Sequence, residues 1–316
     1  MADIITITFN PCIDKSTSVN ALKAESKLRC SAPVFEPGGG GINVARAIKK
    51  LGSEAIAIYP SGGYSGKFLN LLLEKENLSV LTVETKYHTR ENMIVLDLAT
   101  NQQYRFDMPG PQLFEEEWQQ CLQMVEENDS QFIVVSGSLP PGVPADIFAR
   151  VSKMAKKQNR KLIVDSTEEA LQFALEEGVY MIKPNIGELS RLVGKEELQS
   201  FEVEPAAKGL INSDKCEIVV VSLGALGAML VSREQVLKIA APVVKTKSTV
   251  GAGDSMVAGI VFFLSKGKSL LDALQYGVAS GTAATLNSGT GLCRKGDVEK
   301  LFEQIKSDTM LEIVRQ

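Results

Sequence analysis

The chain has 316 residues, 44% of them apolar and 23% charged, with a formal net charge of −4, which describes a globular protein with a sizeable core and a prior of about two domains. Its 34 basic side chains against 38 acidic ones leave no excess for a nucleic-acid backbone, and its longest apolar run, at 256–264, falls short of the roughly 20 residues of a membrane-spanning helix. Five widely spaced cysteines and one histidine, His88, argue against a disulfide framework, a zinc site and most histidine-based catalysis, which leaves carboxylates, lysines and backbone amides for any chemistry.

No secretory signal precedes the first strand-like pattern, so the expected location is cytoplasmic, with no membrane and no nucleic acid as partner. In chain order, β-branched runs predict strands over 4–9, 55–59, 132–136, 161–165 and 218–222. Their nearly continuous apolar character suits a parallel sheet buried on both faces. Amphipathic stretches over 42–51, 65–76, 115–127, 145–158 and 188–193 predict helices between them, and after Gly251 the pattern is mostly helical. The alternation predicts an α/β fold with a doubly wound core. Segments of about 12–35 and 87–108 break the rhythm and are expected to form antiparallel strands of a small inserted sheet, a lid or a dimer surface. The expectation is one domain over 1–316 carrying that lid.

Two glycine-rich turns precede helical patterns. The first, Gly38, Gly39, Gly40 and Gly41 before Ile42 and Asn43, suits either a polar ligand at a helix N-terminus or a turn needing positive φ. It has no Gly-Lys-Ser/Thr and lacks the third glycine of a dinucleotide fingerprint. The second, Gly251, Ala252, Gly253 and Asp254, would form an anion hole of amides beside a candidate base, or Asp254 is simply an acidic N-cap.

Together these two motifs resemble the signature pair of the ribokinase-like, PfkB-type sugar kinases, and the likeness covers essentially the whole chain. Within that family it is nearest the 6-phosphofructokinase type, through the stretches at 27–30, 32–37, 104–106, 136–142 and 283–287. The resemblance implies a three-layer α/β/α sandwich with a β-sheet lid through which subunits often form a homodimer. It also implies ATP-dependent phosphorylation of a sugar phosphate with magnesium. Asp254 would be the base, with an ordinary carboxylate pKa of about 4 and a late proton transfer, and the Gly251, Ala252 and Gly253 amides would stabilise the moving phosphoryl group.

Asn185 and Glu188, after Lys183, resemble the motif that organises magnesium through water, although the same spacing is a helix capping box. Ser222, Gly224 and Gly227 match the nucleotide loop, which taken alone is a hairpin turn. Thr246, Thr282 and Asn287 join the nucleotide side by resemblance. A potassium-type cation would lie near Ser248, Val250, Ala284, Asn287 and Gly289, with Gly291 standing where the subgroup usually has arginine. For the sugar, the resemblance implies Asp14, Gly39, Gly40 and Asn43, with Ser138 as a further contact. Lys27, Arg29, Arg90 and Arg105 would converge on the substrate phosphate, or are solvated charges. Cys12, His88 and Trp118 are expected to be structural.

Gly40 stands where 1-phosphofructokinases and tagatose-6-phosphate kinases usually carry lysine. The expected substrate is therefore fructose 6-phosphate, phosphorylated at its 1-hydroxyl. Those two kinases remain alternatives, as does a non-catalytic sugar-phosphate sensor; a dinucleotide oxidoreductase is disfavoured.

Overall fold

The computed structural model describes residues 3–166, 168–287, 289 and 291–315. The first half of the chain forms β1 (Ile4–Ile7), β2 (Cys12–Val19), β3 (Val34–Gly38), α1 (Gly40–Leu51), β4 (Ile56–Gly62), α2 (Gly63–Lys75), β5 (Ser79–Thr85), β6 (Arg90–Asp97) and β7 (Gln102–Phe106). There follow α3 (Glu115–Glu126), β8 (Phe132–Ser136), α4 (Ile147–Lys157), β9 (Lys161–Asp165), α5 (Glu168–Glu177), β10 (Val179–Ile182), α6 (Ile186–Leu192) and α7 (Val203–Asn212). The last part comprises β11 (Cys216–Ser222), β12 (Ala228–Val231), β13 (Val236–Ile239), α8 (Ala252–Ser265), α9 (Leu270–Thr285) and α10 (Lys295–Arg315).

Among the described residues, nine strands form the large sheet in the order β13-β12-β11-β10-β9-β8-β1-β4-β5. Pairing is parallel from β11 through to β5, and the β12–β13 hairpin adds an antiparallel edge. Side chains alternate across a strand, so each central strand feeds two cores. Ile4, Phe132 and Val134 pack with α1, α8 and α9 on one face, while Ile5, Ile7, Ile133 and Val135 pack with α3, α4 and α7 on the other. This is the expected helix-sheet-helix sandwich. Chain order reverses between β1 and β8, a topological switch point, where open parallel sheets place their ligands at the carboxyl ends of the strands.

The two inserted segments do form a second sheet, in the order β3-β2-β6-β7. One expectation is corrected: β2 and β6 run parallel, and only the outer pairs are antiparallel. The two central strands come from distant parts of the chain, so no hairpin dictates their direction. The sheet also extends to Gly38, which carries the start of the glycine loop into it. The first strand is shorter than expected and ends at Ile7, beyond which the Thr8 hydroxyl accepts the Ile42 N–H at 2.9 Å. Strands β5, β10, β12 and β13 and helices α5 and α7 were not among the expected elements. No helix among the described residues is long and apolar enough to cross a membrane.

Candidate active site

Asp254 lies in the first turn of α8 and is not its cap; that position belongs to Gly251, whose φ of 74° is in the left-handed region. Freed from capping, the Asp254 carboxylate accepts from Asn43 Nδ2 at 3.0 Å, and so the two glycine motifs, 211 residues apart, meet at one hydrogen bond. Burial pushes the Asp254 carboxyl up to about 7, with the charge of Asp165 adding to the rise and the Asn43 bond and Lys183 opposing it. This corrects the expected value near 4: loss of hydration outweighs the helix terminus.

Lys183 follows β10, is 7% exposed and pairs with Asp165 Oδ1 at 3.2 Å. Burial alone would lower its pKa, but Asp165, Glu188 and Asp254 together hold it above the ordinary lysine value, so it stays charged. A Cβ added at Gly253 would lie 3.6 Å from Lys183 Nζ, which puts the ammonium against the N-terminus of α8. Among the described residues the amides of Gly251, Gly253 and Asp254 have no backbone acceptor, whereas that of Ala252 reaches the Thr249 carbonyl at 3.4 Å. The expected hole at 251–253 therefore loses part of its middle donor.

The first glycine loop sits on the switch point itself. A Cβ at Gly40 would fall 2.1 Å from Ser136 Oγ at the end of β8, and one at Gly41 2.5 Å from the Ile7 carbonyl at the end of β1. Close approach of protein to protein demands these glycines, beyond any need of a ligand. Gly39, with φ 109°, caps α1 and sets Asn43 in its first turn.

Asp14, on β2, is buried and accepts from Asn92 Nδ2 at 3.2 Å and from the Cys12 thiol at 3.4 Å. Burial raises its pKa against the pull of those two bonds and of Arg90. Cys12, expected to be merely structural, thus touches a candidate sugar-binding carboxylate. Arg90 Nη1 donates to the Met108 carbonyl at 3.0 Å and Nη2 to that of Asn10 at 3.2 Å. Lys27 and Arg29 are exposed on the β2–β3 connection, and Arg105, exposed on the edge strand β7, donates to Gln103 Oε1 at 3.4 Å. The four expected phosphate-binding cations are not gathered by contacts within the free chain. Ser138 accepts from Asn10 Nδ2 at 3.0 Å. Among the described residues Asn10 Oδ1 and Arg90 Nε, beside Asp14 and Ser138, are buried without a partner, which leaves a donor and an acceptor open there.

On the opposite side, Asn185 and Glu188 form a full capping box for α6: Glu188 N–H donates to Asn185 Oδ1 at 2.9 Å and Asn185 N–H to Glu188 Oε2 at 2.8 Å. Structurally the capping alternative holds, and one carboxylate oxygen of Glu188 is used by it. Asn185 also bridges to Ser222, so 183–185 and the end of β11 share one sheet edge. The loop with Gly224 and Gly227 is the turn between antiparallel β11 and β12. Gly227 is required there, since a Cβ would collide with the Ile239 carbonyl. Thr282 is buried in α9, while Thr246 is exposed.

Ser248 Oγ donates to the Gly289 carbonyl at 2.8 Å, Lys247 N–H to that of Thr285 at 2.8 Å, and Asn287 Nδ2 to that of Leu292 at 3.1 Å. The loops named for a monovalent cation are therefore stitched together, with Asn287 N–H on the Ala284 carbonyl and, among the described residues, no backbone donor on those of Ser248 and Val250. No group of three His, Cys, Asp or Glu able to cage a metal occurs among the described residues.

The sequence profile of the pfkB family carbohydrate kinases matches residues 3–296. The chain belongs to that family. It is 48% identical over 304 residues to the ATP-dependent 6-phosphofructokinase isozyme 2 of Escherichia coli (strain K12), covering 96% of this chain and 98% of the relative. With the 1-phosphofructokinase of Bacillus subtilis (strain 168) it shares 31% identity, again over 96% and 98%. The crystal structure of Escherichia coli phosphofructokinase-2 in complex with substrates and products matches with a TM-score of 0.92 at 47% identity, covering 96% of this chain and 99% of that one. Arabidopsis thaliana ribokinase matches in fold, with a TM-score of 0.77 at 20% identity over 96% and 99%. Four side chains that touch the candidate site residues were not singled out from sequence: Asp165, Asn92, Asn10 and Arg46. Asp165 ends a strand and carries a signal of sorts, an acid at the carboxyl end of a parallel strand; the others carry none.

Proposed function

We propose that this chain is an ATP-dependent 6-phosphofructokinase, which moves the γ-phosphoryl group of ATP to the 1-hydroxyl of fructose 6-phosphate. The reading is carried by the Asn43–Asp254 bond of 3.0 Å, which sets a carboxylate of raised proton affinity beside the open amides of α8. The 48% identity to the Escherichia coli 6-phosphofructokinase supports the substrate.

Phosphoryl transfer needs an aligned nucleophile and neutralised charge more than covalent chemistry. Asp254, with one oxygen held by Asn43, takes the proton of the 1-hydroxyl with the other. Its affinity near neutrality matches a general base working at physiological pH better than an ordinary aspartate would. The amides of Gly251 and Gly253 and the charged Lys183 face the oxygens of the moving group. Asp14, Gly39, Gly40 and Asn43 receive the sugar, and Arg90 and Ser138, with Lys27, Arg29 and Arg105, its 6-phosphate. Lys183, Asn185, Ser222, Gly224, Gly227, Thr246, Thr282 and Asn287 line the nucleotide side.

Glu188 fits magnesium held through water, because its capping bond occupies only one oxygen; such an ion supplies positive charge to the β- and γ-phosphates. The carbonyls of Ser248, Val250, Ala284 and Gly289, with Asn287, suit a potassium-type cation. The small sheet acts as a lid and joins two copies into a homodimer, for which Val34, Met93, Tyr104 and Phe106 offer exposed apolar surface. A cytoplasmic setting suits five free cysteines.

A coupled assay with purified protein, ATP and magnesium tests the reading. Fructose 6-phosphate should give a specificity constant well above those of fructose 1-phosphate and tagatose 6-phosphate, and the reverse order overturns the assignment.

A further inference from the structure

Asn43 has an amide with two different ends, and which end meets Asp254 matters: the NH2 donates to a carboxylate, whereas the carbonyl oxygen would repel it. The structure contains a device that decides this. Arg46, one turn along α1 and 3% exposed, donates from Nη1 to Asn43 Oδ1 at 3.2 Å and to the Pro37 carbonyl at 2.9 Å. Its other edge grips Glu76, just past α2, through Nε at 2.9 Å and Nη2 at 2.6 Å. A guanidinium has only donors, so with Arg46 in place the Asn43 oxygen must turn toward it and the Asn43 NH2 toward Asp254.

We infer that Arg46, clamped by Glu76, is a positioning residue for Asp254, acting through the orientation of the Asn43 amide. A chain of hydrogen bonds, Glu76 to Arg46 to Asn43 to Asp254, leads from the end of α2 to the reacting carboxylate. The inference rests on Asp254 being the base. The other charged groups facing Asp254 are Asp165 at the end of β9, Lys183 after β10 and Asp14 on β2, and the Asn43 bond, with Lys183, holds its proton affinity down.

The test is the pH profile of kcat for Arg46→Lys. Lysine keeps the charge opposite Glu76 but lacks the fork that spans Glu76, Pro37 and Asn43 together. The acid limb should move up by about one pH unit, with kcat at pH 7 falling roughly fivefold to tenfold and recovering above pH 9, while KM for ATP stays within about twofold. A folded variant whose limb does not move, or whose kcat drops equally at every pH, overturns the inference. If Arg46→Lys does not fold by circular dichroism, the double variant Arg46→Met, Glu76→Met repeats the measurement, since an apolar pair can replace an ion pair with one buried partner and one half-buried partner without loss of the fold. Asp254→Asn is assayed alongside. If it retains turnover, the base assignment itself fails and the inference with it; if it is inactive and the Arg46 limb is unmoved, only the inference fails.

Discussion

Asp254 shows how a single residue trades stability for chemistry. Its carboxyl lies at about 7 in the folded chain against roughly 4 in an unfolded one. Between those values the native state binds more protons than the unfolded state, so this group's contribution to stability falls as pH rises from about 4 to about 7, and the full cost is present above that. Asp254→Asn keeps the shape and removes the charge. It is expected to raise stability at pH 8 by on the order of 4 kcal/mol and to leave it nearly unchanged near pH 4, while turnover drops by roughly two to four orders of magnitude. Thermal melting at both pH values, beside a turnover assay, checks this; a gain independent of pH would show that the carboxyl is not raised in the folded chain. The identity of this residue was legible in the sequence, but its proton affinity was not. The shift comes from burial and then from the charge of Asp165, and neither is visible in a local run of residues.

At the scale of elements, the α1 N-terminus depends on the end of β8. Gly40→Ala would press a Cβ to 2.1 Å from Ser136 Oγ and 2.9 Å from the Ser136 carbonyl carbon, so that α1 must shift and carry Asn43 with it. The expected cost is about 1 to 3 kcal/mol, read as a lower urea midpoint, with a raised KM for the sugar. Ser136→Gly in the same chain should recover part of the midpoint, because it removes the nearer obstacle; no recovery would mean that the strand backbone alone sets the limit. This contact also bears on substrate choice, since a side chain at position 40 has no room beside Ser136. Strands such as β8 and β9 were legible to the residue because their apolar runs are buried on both faces. The β2–β6 pairing was not, because both strands are polar and half-exposed and their partners are set by tertiary docking. Likewise Arg46 reads as an ordinary helical arginine until its guanidinium is seen between Asn43 and Glu76.

For the whole molecule, the strand–helix rhythm was enough to announce a doubly wound core, since each crossover in a parallel sheet has one favoured hand. Position within that core then follows from topology: the glycine loop, Ser136, Asp165, Lys183 and Ser222 all stand at the carboxyl ends of their strands, around the reversal at β1 and β8. What the rhythm left out was the number of strands beyond the central ones and the route by which the two inserted segments find each other.

That route has a consequence for the order in which the protein comes into being. Asp14 and Asn92, neighbours across β2 and β6, are 78 residues apart in the chain, and no turn brings them together. Closing so long a loop is affordable only after α1, β4, α2 and β5, which lie between, have already taken shape. The small sheet should therefore be the late event of folding. Pulsed hydrogen exchange during refolding is expected to protect the amides of β1, β4 and β5, whose pairings close shorter loops, before those of β2 and β6, and simultaneous protection would contradict it. A newly made chain would hold the β1, β4 and β5 side of its large sheet some time before it held the small sheet that carries Asp14.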